Sequence, residues 1–197
     1  MFLKSLRLKH SIKKLVKGNP NQLSKSEYAY LAKVILKRRK CQMLVFGVGK
    51  DSHLWMNVNR KGETIFLEDS ISWFAQIRTE NPKIKGYLIK YNSRLGEWEE
   101  LLNKPSNRLM LTLPDQVGKR EWDVVLVDAP AGYNKSTPGR MQSIYTTSVL
   151  SEKSENIDIF VHDCDREVEK VYCDRFFSNM QLVMAFDRLR YYEKALS

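Results

Sequence analysis

The stretch Met43-Leu-Val-Phe-Gly-Val-Gly-Lys-Asp-Ser52 decides the fold, because a short apolar run leads directly into a Gly-x-Gly turn. An apolar run of this length that ends at glycine is typical of a buried strand in a parallel sheet. Gly47 and Gly49 lack a Cβ atom, so the backbone can approach a ligand closely while the next helix presents its N-terminal amides. The same turn also occurs for purely structural reasons, and Ser52 stands where the dinucleotide-binding fingerprint has its third glycine.

Short apolar runs alternate with amphipathic stretches on either side of this turn, which is typical of βαβ units around a mainly parallel sheet. The predicted strands are 43–46, 64–68, 86–90, 123–128 and 157–162, and the predicted helices are 52–60, 70–80, 96–103, 140–152 and 165–178. Residues 182–192 form either a final strand or a hairpin that turns near Asp187-Arg188. The predicted fold class is α/β, with helices on both faces of the sheet.

Positive charge is concentrated at the start of the chain. The 197 residues carry a net charge of +10, and residues 1–40 hold 12 Lys or Arg against a single acid, Glu27. The remaining residues are nearly neutral, so nucleic-acid binding is not expected of them. We therefore predict a basic N-terminal arm with a leading helix in residues 1–40, and one domain of ordinary size in residues 41–197.

The arm contains two predicted helices. Apolar residues of 2–17 fall near one face, so this segment is either a solvated helix packed on the domain or a helix that docks to an anionic surface such as lipid headgroups or a polymer. Ser24 and Glu27 have capping-box spacing and predict a helix over 25–39. The chain has no secretory signal pattern, no apolar run of membrane-spanning length and no C-x-x-C pair, so we expect a cytoplasmic protein with reduced cysteines.

Polar residues follow four of the five predicted strands, where ligands bind in an open parallel sheet. Glu68 ends the second strand 19 residues after Gly49, close to the roughly 20-residue spacing of a carboxylate that accepts hydrogen bonds from ribose hydroxyls. Glu68 and its neighbour Asp69 are therefore predicted to bind a nucleotide cofactor. The alternative is that the two acids only cap the helix near residue 70.

The fourth and fifth strands end in denser groups of polar residues. Asp128-Ala-Pro-Ala-Gly-Tyr133 and Pro138-Gly-Arg-Met141 follow the fourth strand, and Arg140 is either a bidentate ligand for a substrate carboxylate or a surface residue at a helix start. His162-Asp-Cys-Asp-Arg-Glu167 follows the fifth strand and combines an imidazole, three acids and a guanidinium. We favour a functional role for this group, although Asp165 could be only the N-cap of the next helix.

These blocks resemble those of the plant glucuronoxylan 4-O-methyltransferases and their relatives in a polysaccharide-biosynthesis domain family, which includes the irregular-xylem proteins. The similar blocks lie between Met43 and Tyr192 and are 46–52, 64–68, 122–130, 138–146 and 160–169. The resemblance implies a Rossmann-like, S-adenosylmethionine-dependent methyltransferase fold. It also implies methyl transfer to the 4-hydroxyl of a glucuronic acid unit, and, for a plant member, residence in the Golgi.

Carried onto this chain, the resemblance implies that Gly47, Gly49 and Glu68 hold the cofactor and that Asp128, Arg140, His162 and Asp163 line the reaction cleft. Neighbouring polar residues complete the predicted site. The cofactor S-adenosylmethionine would contact Gly47, Gly49, Ser52, Glu68 and Asp69. The catalytic candidates are Asp128, His162 and Asp163, and the substrate-binding candidates are Tyr133, Arg140 and Arg166. The expected partner is a glycan that contains uronic acid.

A sugar hydroxyl is a poor nucleophile unless a base accepts its proton, and Asp128 or His162 could be that base. Asp128, His162 and Asp163 could instead hold a divalent cation that acidifies the hydroxyl. Two other functions compete with this one. The chain could be a non-catalytic polysaccharide-assembly factor with the same fold. It could also be a nucleic-acid methyltransferase, but Asp128-Ala-Pro130 lacks the Asn/Asp-Pro-Pro-aromatic pattern common in amino-methylating enzymes.

Overall fold

The computed structural model describes residues 2–19, 22–104 and 107–194. The strands in these ranges are β1 Gln42–Phe46, β2 Glu63–Glu68, β3 Lys85–Leu88, β4 Val124–Val127, β5 Asp158–Val161, β6 Met180–Ala185 and β7 Arg190–Lys194. The α-helices are α1 Phe2–Gly18, α2 Lys25–Lys37, α3 Ser52–Val58, α4 Ile71–Glu80, α5 Trp98–Asn103, α6 Asp115–Gly118, α7 Met141–Glu152 and α8 Glu167–Phe176. Short 3₁₀ turns occupy Leu95–Glu97 and Asn107–Leu109.

The strands form one sheet in the order β3-β2-β1-β4-β5-β7-β6. The first five strands are parallel, and β7 pairs antiparallel with both β5 and β6. The chain tail is therefore a hairpin, closed by a hydrogen bond from the Phe186 amide to the Leu189 carbonyl at 2.8 Å. The predicted Rossmann-like α/β fold with a mainly parallel sheet is confirmed.

Apolar side chains on alternating strand positions pack to opposite faces of the sheet. Leu44 and Phe46 of β1 belong to a cluster covered by α5 to α8, whereas Met43 and Val45 belong to a cluster covered by α1 to α4. The central strands are apolar throughout because both of their faces are buried. This arrangement confirms the prediction of helices on both faces.

Several boundaries differ from the sequence prediction by a few residues. Strand β3 ends at Leu88 rather than at residue 90, although the Ile89 amide still donates to the Glu68 carbonyl at 2.8 Å. Helix α8 begins at Glu167, and its N-cap is Arg166, so the suggested capping role of Asp165 is wrong. Asp165 instead lies 3.6 Å from the Arg188 guanidinium at the surface.

The leading helix α2 is packed as part of the same body as the sheet. Its capping box forms as predicted: the Ser24 amide donates to the Glu27 carboxylate at 2.7 Å, and the Glu27 amide donates to the Ser24 hydroxyl at 3.3 Å. Tyr28 and Leu31 are fully buried in the cluster that contains Val45. The predicted boundary between the arm and the domain, at residue 40, therefore does not separate two hydrophobic cores.

Helix α1 packs on α2 through one narrow stripe. Ile12 is buried, and Leu8, Leu15 and Val16 are partly buried against the same cluster. The opposite face carries lysines and arginines. No helix in the part of the chain that the structure describes combines the length and apolar character needed to cross a bilayer.

Candidate cofactor and reaction site

A cavity of about 520 Å³ opens where the strand order reverses, at the carboxyl ends of β1 and β4. Ligands of open α/β sheets bind at this kind of position, and the volume lies in the usual range of about 300–1,000 Å³ for small-molecule sites. One wall is formed by the turn after β1 and by Glu68, Asp69 and Trp73. The other wall contains Asp128, the 129–133 turn, Arg140, Asp163 and Arg166.

The turn after β1 requires glycine at position 47. Gly47 has a φ of +104°, and a Cβ atom there would lie 2.9 Å from the Ala129 Cβ atom. Both the backbone conformation and the close approach of the next turn therefore exclude a side chain. Gly49 also lines the cavity, and its amide donates to the Ser52 hydroxyl at 2.9 Å. Ser52 is buried, so it orders this turn from behind.

The Glu68 carboxylate joins the two loops at this end of the cavity. It accepts hydrogen bonds from the Val48 amide at 3.0 Å, the Asp69 amide at 3.0 Å and the Ser70 amide at 2.8 Å. Burial raises the pKa of Glu68. A carboxylate can accept about four hydrogen bonds, and these three amides use three of them. Asp69 is exposed at the rim, and Ser70, not the two acids, caps α4 through its hydroxyl.

Asp128 and His162 form a hydrogen-bonded pair at the other end. Nδ1 of His162 lies 2.7 Å from Oδ1 of Asp128, so the imidazole donates to the carboxylate. The Asp128 side chain is 15% exposed and lines the cavity, whereas His162 is 2% exposed and is not among the lining residues. Asp128 therefore faces the cavity, and His162 holds it from behind.

Arg140 is 5% exposed, so it is neither an open ligand for a substrate carboxylate nor a surface residue at a helix start, the two predicted alternatives. One terminal nitrogen donates to the His162 carbonyl at 2.6 Å and lies 2.8 Å from the Asp163 carboxylate. The other donates to the Asp128 carbonyl and side chain at 2.9 and 3.1 Å. The guanidinium edge is thus occupied by protein acceptors, because the start of α7 is packed against the ends of β4 and β5.

Asp163 lies at the centre of a cluster of arginines. Its backbone has a φ of +62°, and its carboxylate pairs with Arg140, Arg166 and Arg188. Burial by itself would raise the pKa of Asp163, but the surrounding arginines and the His162 imidazole hold the pKa below its ordinary value. Asp163 is therefore a charged, fixed anchor.

The three suggested metal ligands lie close together, since Nδ1 of His162 is 2.7 Å from the Asp128 carboxylate and 3.6 Å from the Asp163 carboxylate. Within the described ranges no cluster of His, Cys, Asp or Glu side chains has an arrangement that would hold a metal ion. The physical reason is visible in their contacts, since Asp128 is bonded to His162 and Arg140, and Asp163 is surrounded by arginines.

The remaining substrate-binding candidates lie at the cavity rim. Tyr133 is 76% exposed, so the face of its ring is open to a ligand. The Arg166 side chain is 35% exposed, pairs with Asp163 at 3.0 Å and donates to the Gly132 carbonyl at 3.2 Å. Both residues therefore border the same wall as Asp128.

Several lining residues escaped the sequence analysis. Leu15, Asn19 and Gln22 come from the arm, which no strand-end argument could place at the cavity. Asp51 follows the Gly-x-Gly turn and bonds the Trp55 indole at 2.9 Å. Burial and, to a smaller extent, the charge of Asp128 raise the pKa of Asp51 to about 6. The sequence feature that could have identified Asp51 as a cavity residue is its position two residues after Gly49.

The fold is similar to that of solved structures that are named as O-methyltransferases. They include a putative caffeoyl-CoA O-methyltransferase from Staphylococcus aureus, with a TM-score of 0.57, 11% identity and coverage of 98% of each chain. Another is the O-methyltransferase from Bacillus cereus in complex with SAH, with a TM-score of 0.58, 10% identity and coverage of 96% of this chain and 91% of that one. At such identities the likeness shows the fold alone.

Curated relatives from Arabidopsis thaliana are much more similar in sequence. Glucuronoxylan 4-O-methyltransferase 1 is 32% identical over 191 residues, which is 88% of this chain and 67% of that protein. Arabinogalactan O-methyltransferase 1 is 29% identical, with coverage of 85% and 65%. Protein IRX15-LIKE is 33% identical, with coverage of 77% and 55%. The chain thus spans about two thirds of the length of the first two relatives and about half of the third.

A family model described as IRX15/IRX15L/GXM matches residues 26–110 and 106–192. These matches span β1 to β7 and include the Gly47 turn, Asp128 and His162. The resemblance inferred from the sequence blocks is confirmed: this chain belongs to the IRX15/IRX15L/GXM family.

Proposed function

We propose that the chain is an S-adenosylmethionine-dependent O-methyltransferase that acts on a hydroxyl of a uronic acid unit in a glycan. The observation that carries this proposal is the cavity-facing Asp128 carboxylate, which is bonded to His162 at 2.7 Å and shares one cavity with Gly47 and Glu68. The printed names of the relatives, which refer to glucuronoxylan and arabinogalactan, support a glycan acceptor.

The residues near β1 and β2 suit the cofactor. Gly47 leaves a cradle that a Cβ atom would fill, and the Glu68 carboxylate lines the same cavity, where it can accept a hydrogen bond from a ribose hydroxyl. The Trp73 indole, bonded to the Val48 carbonyl at 2.6 Å, supplies a flat apolar wall. When bound, S-adenosylmethionine supplies an electrophilic methyl group on a sulfonium.

Asp128 is the proposed base. The Asp128 carboxylate would accept the proton of the acceptor hydroxyl as that oxygen is methylated, and S-adenosylmethionine held by the Gly47 turn and Glu68 would supply the methyl group. His162 donates its Nδ1 hydrogen to Oδ1 and so keeps the carboxylate in one orientation. A positioned base typically contributes about 10²–10⁴-fold to the rate, and in-line positioning of the two reactants contributes further.

Tyr133 and Arg166 are the proposed acceptor-binding residues. An exposed aromatic ring can pack against the apolar face of a sugar. Arg166 uses its two terminal nitrogens in the protein but is one third exposed, and a guanidinium carries five N–H donors, so donors remain for a uronate carboxylate. Arg140 is assigned a different part, because it fixes Asp128 and Asp163 from within the wall.

The test is a methyl-transfer assay with labelled S-adenosylmethionine and a panel of uronic acid-containing oligosaccharides, each paired with its carboxyl-reduced neutral counterpart. We expect transfer to at least one charged member, with the methylated position found by mass spectrometry. Asp128→Asn should reduce the rate by about 10²–10⁴-fold while cofactor binding by calorimetry persists. Cofactor binding without transfer to any panel member would count against the proposal.

A second candidate is a non-catalytic factor in polysaccharide assembly. It is favoured by the 33% identity to Protein IRX15-LIKE, whose name states no methyltransferase activity. The same calorimetry separates the two candidates. A chain that is folded but does not bind S-adenosylmethionine would support the assembly factor.

A further inference from the structure

Helix α1 presents a row of cations that the proposed reaction does not use. Arg7, Lys9, Lys13, Lys14 and Lys17 are exposed, and α1 contains no acidic residue. None of the ion pairs formed within the described ranges involves these five residues. We call this surface the α1 cationic face.

Helix α1 ends beside the cavity, and the α1 cationic face lies on the outward side of the helix, away from the packed stripe that carries Leu15. Leu15 of α1 and Asn19, just beyond its end, line the cavity that also contains Asp128. Lys14 and Lys17 lie within one helical turn of Leu15, and the row extends from Lys17 to Arg7 over about 15 Å at the rise of an α-helix. The cations therefore lie on the solvent-facing side of one rigid helix whose C-terminal end borders the cavity.

The packing of α1 argues against a lipid surface as the occupant. A helix that binds in the membrane interface needs an apolar face free to enter the bilayer. In α1 that face is already used, since Ile12 is 2% exposed and Leu8, Leu15 and Val16 pack against the core. Over residues 6–18 the free surface of α1 carries the five cations and one exposed apolar side chain, Leu6, which suits a soluble polyanion.

We propose that the α1 cationic face binds uronate carboxylates of the acceptor glycan that lie outside the cavity, so that the chain is held while one of its units reaches Asp128. This inference rests on the proposed function in so far as the acceptor is an acidic glycan. The residues after 40 are nearly neutral, so the arm supplies the positive charge that a polyuronate requires. Each exposed ion pair is weak and screened by salt, and the effect arises from several pairs acting together.

The test compares two triple variants of the whole chain. The first, Lys13→Gln/Lys14→Gln/Lys17→Gln, removes charge from the α1 cationic face with a residue of similar helix propensity. The matched control, Arg60→Gln/Lys61→Gln/Lys83→Gln, removes the same charge from exposed positions before β2 and β3, at the opposite end of the strands. Circular dichroism verifies that both variants are folded.

The first readout is the Kd for polygalacturonate, measured by calorimetry at low and at physiological salt, with dextran as the neutral polymer. We expect the α1 variant to bind polygalacturonate about tenfold more weakly at low salt, from about twofold for each lost pair. The control variant should change by less than about twofold. Equal weakening in both variants would overturn the proposal, because the effect would then reflect net charge alone.

The second readout is sedimentation with vesicles of phosphatidylserine and phosphatidylcholine. The proposal would also be overturned if the α1 variant lost the vesicle binding of the parent but still bound polygalacturonate with an unchanged Kd. Neither readout requires methyl transfer. An inactive chain that binds polygalacturonate through α1 would therefore refute the proposed function without refuting this surface.

Discussion

At the scale of single residues, the burial of Arg140 changes what its replacement should do. Replacing an exposed residue that only binds substrate would cost little stability. Arg140, in contrast, is 5% exposed and is paired with Asp128 and Asp163. Removing one partner of a buried ion pair usually costs about 3–5 kcal/mol. We expect Arg140→Ala to lower the free energy of unfolding by about this amount, as measured by urea denaturation.

The same variant should lose activity towards charged and neutral acceptors alike, because Arg140 acts through Asp128. The exposed Arg175 provides a control, and Arg175→Ala should change stability by less than about 0.5 kcal/mol. A stable Arg140→Ala protein that loses only its charged acceptors would instead support direct binding of the uronate by this guanidinium.

Asp51 should make stability depend on pH. Burial, followed by the charge of Asp128, raises its pKa to about 6 in the folded chain, against about 3.9 in an unfolded one. A raised carboxyl pKa contributes stability that is complete below about pH 4 and is lost as the pH rises through 6. Asp51→Asn carries no charge, so it should be about 2–3 kcal/mol more stable than the parent above pH 7 and equal to it near pH 4.

The comparison requires unfolding curves at several pH values in the absence of ligand. Asp115→Asn serves as the control, because the Asp115 side chain is 75% exposed and its pair with Lys119 is a surface one. A constant difference between Asp51→Asn and the parent at every pH would contradict the assignment.

Asp128 and Glu68 could be predicted at the cavity edge from the sequence, because the carboxyl ends of parallel strands meet there. The side-chain directions of Arg140 and His162 could not be predicted. Those directions depend on how α7 packs against β4 and β5, which is a contact between residues distant in sequence.

At the scale of elements, Gln142 on α7 holds the connection after β3. Its carbonyl oxygen accepts from the Asn92 amide at 2.9 Å and the Ser93 amide at 3.2 Å, and its nitrogen donates to the Arg108 carbonyl. Loss of this buried side chain leaves two amides without their acceptor, at about 1–3 kcal/mol. We expect Gln142→Ala to speed hydrogen exchange at Asn92 and Ser93 by about 5- to 150-fold.

Exchange in the central strands should stay unchanged in this variant, which distinguishes local opening from general destabilisation. Gln181→Ala, at an exposed position on β6, is the matched replacement and should leave both amides as slow as in the parent. Unaltered exchange in Gln142→Ala would mean that other contacts hold the connection.

Periodicity and glycine positions predicted most of the elements correctly, including the capped α2. The sequence did not decide whether the tail forms one strand or a hairpin, because the apolar run after Met180 is compatible with either. The decision comes from pairing, since β7 adds to β5 and β6 then pairs only with β7. Sequence alone does not reveal which edge of the sheet is free.

At the scale of the whole molecule, the two faces of the sheet should unfold together. Trp55 is buried in the cluster beneath α1 to α4, and Trp122 is buried in the cluster beneath α5 to α8. The central strands contribute side chains to both clusters, so neither can be lost alone. We expect coincident denaturation midpoints when each tryptophan is followed by fluorescence in variants that replace the other tryptophans with Phe.

Circular dichroism should give the same midpoint, as a two-state transition requires. An earlier loss of the Trp55 signal would mean that the arm and α3 form a separate cooperative unit. The chain would then unfold in two cooperative units that meet near residue 40, where the charge distribution predicts a boundary, although the hydrophobic packing is continuous there.

The hydrogen bonds of Glu68 have a consequence for protein engineering. The carboxylate that is proposed to receive the cofactor ribose is also the acceptor for the Val48, Asp69 and Ser70 amides. A designer who replaced it to admit a cofactor analogue with a bulkier ribose would disconnect the two loops that shape the opening. Replacing Trp73 with a smaller side chain is therefore a better way to admit a bulkier cofactor analogue. That change removes one hydrogen bond, to the Val48 carbonyl, whereas replacing Glu68 removes three.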